Sequence, residues 1–497
     1  MHHLLCGLAA NPALTPEAVD RLIGVADDDI AAALAGRADL SRTQAAALAA
    51  RVGSGAVRLA YEGRLTAADI DPRAQPAAAL ALLDHGLGPE GWARLFAADP
   101  DPERREKLAA CPGLPADVVA TLATDRDVRV VAELASWAGP DTAVALADHP
   151  HVEVRRAVAT NEQTPPAVLA ALLTGDGLRA PRRCRACDRQ EPHRPQLSLL
   201  DCVDSHESAV DGVRVAALCN AATPTEAVVA FASRGEHPST ALRRALAERP
   251  DLPAQAYGRL ASDPVPGVRG DLAENPAIDD AVIRTLARDP DPEVRRRLAH
   301  HPRVPLDVLM DLARTSRIGS TLLPRIATAT AAEVDELAGA SDPVVRMLVA
   351  QRGDLPPVVR DQLVGDADAK VAKSIAAHPG LSERQLRALV DRHGVRVLAR
   401  VAANPDAPAA LLEEVARHEP PVRKALREVA RHPGATAAAL LACLADERAG
   451  PIAAGRRELE PSALVELLDD VDWQVAEAAA ANPALPAAVA AELLRRT

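Results

Sequence analysis

Aromatic side chains are scarce in this sequence of 497 residues, which holds three Trp, two Tyr and two Phe. Proteins that stack nucleic-acid bases, or that anchor themselves at a membrane interface, need aromatic rings on those surfaces. Long apolar runs are missing too, because the longest run of small apolar residues, at 435–445, is shorter than the ~18 residues of a spanning helix. These absences argue against a base-stacking surface and against a membrane protein.

An excess of basic residues is also missing. The sequence has 57 Lys and Arg against 69 Asp and Glu, which gives a formal net charge of −12. A sequence-independent grip on nucleic acid needs clustered Lys and Arg, so this balance disfavours a nucleic-acid partner. The first residues lack the basic segment and long apolar segment that are typical of a secretory signal. We therefore expect a cytoplasmic protein.

Sequence motifs of common enzymes are not found. The sequence has no G-x-x-x-x-G-K-[ST] phosphate loop, no G-x-G-x-x-G dinucleotide motif, no H-E-x-x-H zinc motif and no G-x-S-x-G nucleophile motif. Acidic pairs such as Asp469-Asp470 do recur, but at positions where helix capping accounts for them. We predict that the protein is not an enzyme, and we assign no catalytic residue.

What the sequence does contain is a repeat of about 26 residues. A clear copy runs from Asp289 to Ala313, as DPDPEVRRRLAHHPRVPLDVLMDLA. Each copy has two anchors, a Val-Arg pair near its start and an Asn or His near its middle. The Val-Arg pairs begin at Val128, Val154, Val268, Val294, Val345, Val395 and Val422. The second anchors are Asn11, Asn161, Asn220, Asn275, His301, His378, Asn404, His432 and Asn482.

Each copy is predicted to form two short helices. In the clear copy, Asp and Pro residues at 289–292 begin the first helix, and Val294 and Leu298 lie on one apolar face. The second helix opens at Pro305 and places Leu309 and Leu312 on one face. Helices of 8 to 10 residues are barely stable alone in water, so each copy must bury its apolar face on its neighbours. The sequence therefore predicts a stacked helical solenoid.

The pattern VRxxLAxNPxxPxxxLxxLAxD, seen from Val294 to Ala313, resembles the leucine-rich repeat variant family and, less specifically, HEAT-like helical repeats. The resemblance implies a right-handed superhelix in which an α-helix alternates with a short 3₁₀-helix. We predict an all-α, right-handed helical-repeat solenoid whose units hold one α-helix and one short α- or 3₁₀-helix. The expected domains are helical repeats at 1–175, a cysteine-rich insertion at 176–210 and helical repeats at 211–497.

The recurring polar anchors have two interpretations. The arginine after each valine could line a basic ridge that binds phosphate or acidic peptides. It could instead pair with an aspartate of an adjacent turn, as Arg295 with Asp291 and Arg346 with Asp342. We favour this structural role, because a repeated polar residue in a solenoid usually supports the stack. The anchor Asn and His residues are likewise predicted to bond neighbouring backbone at tight turns.

Four cysteines break the repeat pattern. Cys184, Cys187, Cys202 and Cys219 form the spacing C-x2-C-x14-C-x16-C, in and just after a polar insertion. Four thiolates can close a tetrahedron on Zn²⁺ or hold an iron–sulfur cluster, and a metal could fold a segment that lacks an apolar core. His193 or His206 could replace one thiolate. We predict a zinc ion, with a [4Fe-4S] cluster and the absence of any metal as alternatives.

The family resemblance bears on the metal as well. Some leucine-rich repeat variant proteins carry a four-cysteine module that binds a [4Fe-4S] cluster, and there the module precedes the repeats, whereas here the cysteines interrupt them. Cys6, Cys111 and Cys443 lie within predicted repeat helices and are expected to be small core residues.

The sequence thus predicts a non-enzymatic helical-repeat scaffold for protein–protein interaction with a structural four-cysteine metal site. A protein partner is expected, because solenoids bind extended or helical partners along their surface. One alternative is an iron–sulfur redox protein or metal sensor. Another, disfavoured by the charge and the few aromatics, is a HEAT-like nucleic-acid binder.

Overall fold

Short α-helices in tandem make up the structure, a computed structural model that describes residues 1–184, 207–234, 237, 239–319 and 321–496. Within these ranges no β-strand forms, and the backbone of His151 and Arg183 makes one isolated parallel bridge. The predicted all-α helical-repeat class is confirmed. No helix in these ranges is both long and apolar enough to cross a membrane.

The helices fall into two compact units. Unit 1 combines Met1–Leu65 with Gly319–Thr497, and unit 2 is Thr66–Ile318. The helices of unit 1 are His2–Ala10, Pro16–Val25, Asp28–Ala35, Arg42–Arg51, Gly53–Tyr61, Pro324–Ala327, Ala331–Ala338, Pro343–Val349, Pro357–Val364, Ala369–Ile375, Glu383–His393, Val395–Ala402, Ala409–Ala416, Arg423–Arg431, Ala437–Cys443, Gly450–Ala454, Pro461–Leu467, Trp473–Ala481 and Ala487–Arg495.

Unit 2 is built in the same way, and it contains the predicted insertion. Its α-helices are Pro76–Asp84, Glu90–Ala97, Pro102–Ala109, Ala116–Ala123, Val128–Trp137, Pro140–Leu146, Val152–Thr160, Pro166–Thr174, Glu207–Cys219, Thr225–Ala232, Thr240–Glu248, Ala254–Leu260, Pro266–Glu274, Asp280–Leu286, Pro292–Leu298 and Leu306–Thr315.

Caps and prolines set where the helices begin. In the clear copy, Asp291 accepts a hydrogen bond from the N–H of Glu293, and Pro292 takes the first helical position, where its missing N–H costs nothing. The second helix, Leu306–Thr315, starts directly after Pro305. It is an α-helix, and the one 3₁₀-helix in the described ranges is Ala67–Asp69. Second helices of seven to ten residues, such as this one, are long enough for i→i+4 bonds, so they differ from the 3₁₀-helices that the family resemblance implies.

The core is the predicted one, made of aliphatic side chains from both helices of each repeat. Val294 and Leu298 of the first helix are buried, as are Leu309 and Leu312 of the second. Because neighbouring repeats supply the other wall of each such layer, the core runs along each stack rather than gathering at one centre.

Truncating a core leucine tests this register. Leu298 is fully buried, and we expect Leu298→Ala to lower the free energy of unfolding by about 3 kcal/mol through lost burial and a residual cavity. Leu441→Ala is the matched control, because Leu441 is 48% exposed on its helix and should change stability by less than about 0.5 kcal/mol. Urea denaturation followed by circular dichroism measures both, and equal effects would show that the register is wrong.

Candidate functional site

The second anchor of each repeat joins that repeat to the one before it. Asn161 donates from Nδ2 to the carbonyl oxygens of Ala135 and Ala138, at 2.9 and 2.8 Å. Its Oδ1 accepts the N–H of Gln163 at 2.8 Å, which closes a tight turn. Every asparagine of the sequence is buried and makes two donor bonds and one acceptor bond of this kind. Those that bond the preceding repeat are Asn220, Asn275, Asn404 and Asn482. Asn11 makes the same bonds to Ala480 and Asn482.

These bonded anchors form the first of two ladders, and we call each anchor a rung. An amide suits the position because it can donate two hydrogen bonds and accept one at the same time. Buried carbonyls at the end of the preceding helix are thereby satisfied, which a purely apolar residue could not do. The prediction that the anchor asparagines bond neighbouring backbone is confirmed.

Histidine serves as a rung in some repeats. His301 places Nε2 at 3.0 Å from the carbonyl oxygen of Asn275, while its Nδ1 accepts the N–H of Arg303 at 3.2 Å. This pair of contacts requires the neutral tautomer with its proton on Nε2. His432 repeats the arrangement.

His378 breaks the ladder. Its Nδ1 lies 2.5 Å from the carbonyl oxygen of Pro379, and its buried Nε2 has no hydrogen-bond partner in the described part of the chain. The N–H of Gly380, which a regular rung would hold, instead donates to the carboxylate of Asp406. The preceding repeat therefore receives no side-chain bond from this anchor.

The rung His301 should make stability depend on pH. Burial lowers the pKa of His301, assisted by the nearby Arg303 and opposed by the hydrogen bond to Asn275. Above the ordinary value of about 6.5 both states are neutral, and as the pH falls below it the unfolded state binds the proton first, so stability is lost. We expect His301→Asn, which keeps a rung, to reduce this loss between pH 6.5 and 5 in urea titrations. An identical pH slope in both proteins would contradict the assignment.

Arginine also serves as a rung, which the sequence analysis missed. Arg249 donates from one terminal nitrogen to the carbonyl oxygens of Leu218 and Asn220, at 3.1 and 3.3 Å. Its other two guanidinium nitrogens bond the carboxylate of Asp251, which holds the fork in place. A signal was present, because an acid two residues after the arginine recurs in most of these rungs. The others are Arg37, Arg64, Arg352 and Arg456.

A second ladder runs near the start of the first helices. Arg269 forms a two-pronged ion pair with Asp289 of the next repeat, at 2.6 and 2.9 Å, and donates a third bond to the carbonyl oxygen of Asp263. The equivalent pairs are Arg105 with Asp125, Arg243 with Asp263, and Arg346 with Asp366. Where a Val-Arg pair is in register, as at Arg269 and Arg346, the arginine is therefore a structural residue.

The predicted carboxylate partners were wrong. Arg346 pairs with Asp366 rather than Asp342, and Arg295 bonds the hydroxyl of Ser316 and the carbonyl oxygen of Asp289. Asp291, the expected partner of Arg295, caps its own helix instead. Each carboxylate that does pair lies one repeat onward, because stacking rather than chain proximity brings it to the guanidinium.

The electrostatics of this ladder favour charged pairs. Burial would raise the pKa of Asp289, but bonds from the Arg269 guanidinium and from the N–H of Asp291 outweigh it, so the pKa lies below its ordinary value. The same guanidinium, bonded to Asp289, has a raised pKa. Both partners are thus charged at neutral pH, and neither is available as a proton donor or acceptor.

Of the Val-Arg pairs named in the sequence analysis, three lie out of register. Val395 is 53% exposed, and the buried face of its helix begins at Val397. The pairs at Val128 and Val422 likewise have exposed arginines. In the ladder, Arg269 and Arg346 stand six residues before the rungs Asn275 and Arg352. Arg396 and Arg423 instead stand eight and nine residues before the next rung, and no rung follows Arg129 at any of these spacings.

The outward face of the first helices carries its own charge network. In unit 2 the Asp271 carboxylate accepts from Arg244 at 2.5 Å and from Arg297 at 2.6 Å, so it joins three successive repeats. The Arg297 side chain lies across Gly270, where an added Cβ would sit 3.2 Å from its Cδ. Because Asp271 itself is buried, this network ties neighbouring first helices together.

The chain that leads into the cysteine segment is docked on unit 2. Arg179 pairs with Asp148 at 2.6 Å, and the carbonyl oxygen of Arg183 accepts the N–H of Val152 at 2.9 Å. Cys184 follows directly and is buried. Beyond the insertion, Asn220 donates to the carbonyl oxygens of Ala159 and Asn161 at 3.0 Å, so the repeats on either side stack directly on each other.

The predicted metal ligands are only partly described. Cys219 is exposed at the end of its helix, and partial burial and Glu248 raise its pKa while Arg249 opposes them. Cys187, Cys202, His193 and His206 lie outside the described residues. Within the described ones no group of three or more His, Cys, Asp or Glu side chains is placed to hold a metal. The four-cysteine site stays a prediction. Cys111 and Cys443 are buried as expected, and Cys6 is half-buried.

A shallow cavity of about 380 Å³ opens beside this docked segment. Its lining residues are Pro102, Arg105, Arg126, Asp127, Val128 and Arg183. Since Arg105 is held by Asp125, and no Ser, Cys or His lines the cavity, this lining offers no nucleophile and no acid–base pair of the kind that hydrolases use.

Comparison with solved structures finds other helical-repeat proteins. The chain is a helical-repeat protein. It is similar to a leucine-rich repeat variant with a repetitive structural motif, at 21% identity over 53% of this chain and 87% of that one, with a TM-score of 0.30. It is also similar to the SYS-1/POP-1 complex, at 12% identity, 97% and 90% coverage and a TM-score of 0.18. A third is the Pds5–Scc1 complex, at 13% identity, 90% and 57% coverage and a TM-score of 0.14.

The predicted resemblance to leucine-rich repeat variant and HEAT-like helical repeats is confirmed at the level of repeat type. At these scores the likeness says nothing about function, and the assignment of the fold rests on the repeats themselves. No protein-family model matches the sequence, and no curated protein matches it.

Proposed function

We propose that this protein is a non-enzymatic scaffold that binds a protein partner along the outward face of its first helices. The observation that carries the proposal is the pair of ladders. They commit the Asn, His, Arg and Asp residues that form the rungs and the ladder ion pairs to holding repeats together, so these residues do not serve as a binding ridge or a catalytic set. What remains for a partner is the extended helical surface between the ladders, the kind of surface that solenoids use.

Unit 2 offers the best-defined part of that surface. Trp137 is 65% exposed, and its indole N–H donates to Glu133 one turn earlier, at 2.9 Å. The same two positions of the next first helix hold Arg156 and Thr160. Exposed tryptophan and arginine side chains are enriched among the residues that dominate protein interfaces. We therefore place the partner surface at these neighbouring helices.

Affinity capture tests this placement. The full-length protein is immobilised and exposed to lysate of its source cells, beside Trp137→Ala and the matched control Trp473→Ala, whose tryptophan is 55% exposed in unit 1. We expect at least one protein that the parent and the control retain and that Trp137→Ala loses. Capture of nothing, or equal capture by all three, would contradict the proposal.

We also propose that the cysteine segment holds a structural zinc ion through Cys184, Cys187, Cys202 and Cys219, with a [4Fe-4S] cluster as the alternative cofactor. Support comes from the two ends of the segment. Cys184 is fixed by the docked chain before it, and Cys219 by a helix that stacks on Val152–Thr160. Metal binding contributes its free energy to folding, and a polar segment between two fixed ends has little apolar burial to stabilise it otherwise.

Metal analysis of freshly purified protein decides between these cofactors. Zinc in equal amount to protein supports the proposal, whereas a brown protein absorbing at about 400 nm supports the cluster and a redox or sensor role. The double variant Cys184→Ser/Cys187→Ser should lose the metal, and Cys6→Ser, outside the segment, should keep it. Protein without metal, or metal unaffected by the double variant, would remove the site.

A further inference from the structure

The first ladder contains one rung that links distant parts of the sequence. Within unit 1 the helix His2–Ala10 packs on the helix Trp473–Ala481. Asn11 donates from Nδ2 to the carbonyl oxygens of Ala480 and Asn482, at 3.0 and 2.8 Å. These are the bonds that Asn482 makes to its own preceding repeat. We call this contact the seam.

The seam is also closely fitted. A Cβ added at Gly7 would overlap the carbonyl oxygen of Glu477 and lie 2.9 Å from the Cβ of Ala480. Distances this short are not tolerated, so any larger residue at position 7 would push the two helices apart. Both Gly7 and Ala480 are buried in this contact. The two faces are therefore complementary in shape as well as in hydrogen bonding.

The seam differs from the other interfaces in its tether. Asn11 is 469 and 471 residues away from its two acceptor residues, whereas Asn482 is 28 and 26 residues away from its own. A turn of a few residues keeps ordinary neighbours at a very high effective concentration, but here the connection runs through most of the chain. When the seam opens, no short turn holds its two faces together, so the face of another molecule can compete for either of them.

We propose that the seam is an exchangeable interface whose second occupant is another copy of this chain. The face of Trp473–Ala481 in one copy takes the helix His2–Ala10 of the next, which gives a head-to-tail association with the same bonds as the closed seam. Since both arrangements bury the same contacts, protein concentration decides between them, as in domain swapping.

Complementation between two damaged copies tests the proposal. Gly7→Ala disrupts the seam face of the helix His2–Ala10, and Ala480→Leu disrupts that of the helix Trp473–Ala481. Each variant alone should lose its dimer in native mass spectrometry at protein concentrations where the parent forms one. An equimolar mixture, with one variant labelled with ¹⁵N, should recover heterodimer of intermediate mass, because one undamaged face remains in each copy.

Two controls keep the outcome decisive. Gly24→Ala, in the same repeat but with no atom within 4 Å of the added Cβ, should dimerise like the parent. Circular dichroism checks that both seam variants keep their helices, and Asn11→Asp, which reverses the rung without adding bulk, should also lose the dimer. A parent that stays monomeric at every concentration, a dimer that survives Gly7→Ala, or a mixture that yields no heterodimer would overturn the proposal.

Discussion

Replacing Asn161 with aspartate should lower the free energy of unfolding by about 5 kcal/mol, and replacing it with alanine by about 3 kcal/mol. The alanine variant leaves two carbonyl oxygens and the N–H of Gln163 without partners at a buried site. The aspartate restores the acceptor for that N–H but turns an oxygen toward the carbonyls of Ala135 and Ala138, where the amide donates. The aspartate variant therefore has electrostatic repulsion between its carboxylate and the two carbonyl oxygens, where the alanine variant only lacks the two hydrogen bonds.

The pH dependence identifies this cause. A carboxyl facing two carbonyl oxygens should have a raised pKa, so its penalty is present at neutral pH and shrinks as the pH falls through that raised value. We expect the gap between Asn161→Asp and Asn161→Ala to close between about pH 7 and 4 in urea denaturation. Gln163→Glu, an exposed amide-to-acid change two residues away, is the matched control and should stay within about 0.5 kcal/mol of the parent. Equal stability of the aspartate and alanine variants at neutral pH would contradict the rung geometry.

The repeat, the paired helices and the core could be predicted because each depends on residues close together in sequence. Val294 and Leu298 lie one turn apart, and burial of their shared face follows from helical periodicity alone. The role of the asparagines followed similarly, since an amide before proline at a helix end has few other uses than bonding nearby backbone.

The ion-pair partners could not be predicted in this way. Arg346 has Asp342 within one helical turn, yet it pairs with Asp366, because the rotation from one repeat to the next decides which carboxylate faces the guanidinium. The arginine rungs were missed for a chemical reason, since Arg249 and an asparagine satisfy the same carbonyls with different side chains. A search for polar residues spaced by one repeat, regardless of type, would have found them.

The seam lies beyond sequence reasoning altogether. Periodicity relates each copy to its neighbour in the chain, and nothing in it says that residues 2–11 meet residues 473–482. The cysteine segment marks a different limit, because spacing suggests four ligands but does not bring them together. For that site, metal analysis of the purified protein decides whether the four cysteines bind a metal.

Breaking the buried ion pair should be the other large effect. We expect Arg269→Ala to lower the free energy of unfolding by about 4 kcal/mol, because it leaves the Asp289 carboxylate buried with its charge uncompensated. Arg269 and Asp289 are 11% and 4% exposed, so water cannot take over the lost bonds. The matched control is Arg284→Ala, which removes an arginine that is 44% exposed and paired with exposed acids, and it should lower the free energy of unfolding far less than Arg269→Ala does.

A double-mutant cycle separates the pair from its surroundings. Adding Asp289→Ala to Arg269→Ala should recover part of the loss, since the stranded charge is then gone, and the coupling between the two sites should reach about 2 kcal/mol. Raising the salt concentration should weaken the exposed Arg284 pairs but leave the Arg269 coupling nearly unchanged, because buried charges are poorly screened. A coupling near zero, or one that salt abolishes, would mean that stacking is held by apolar burial and the asparagine rungs alone, with the arginine ladder a surface feature.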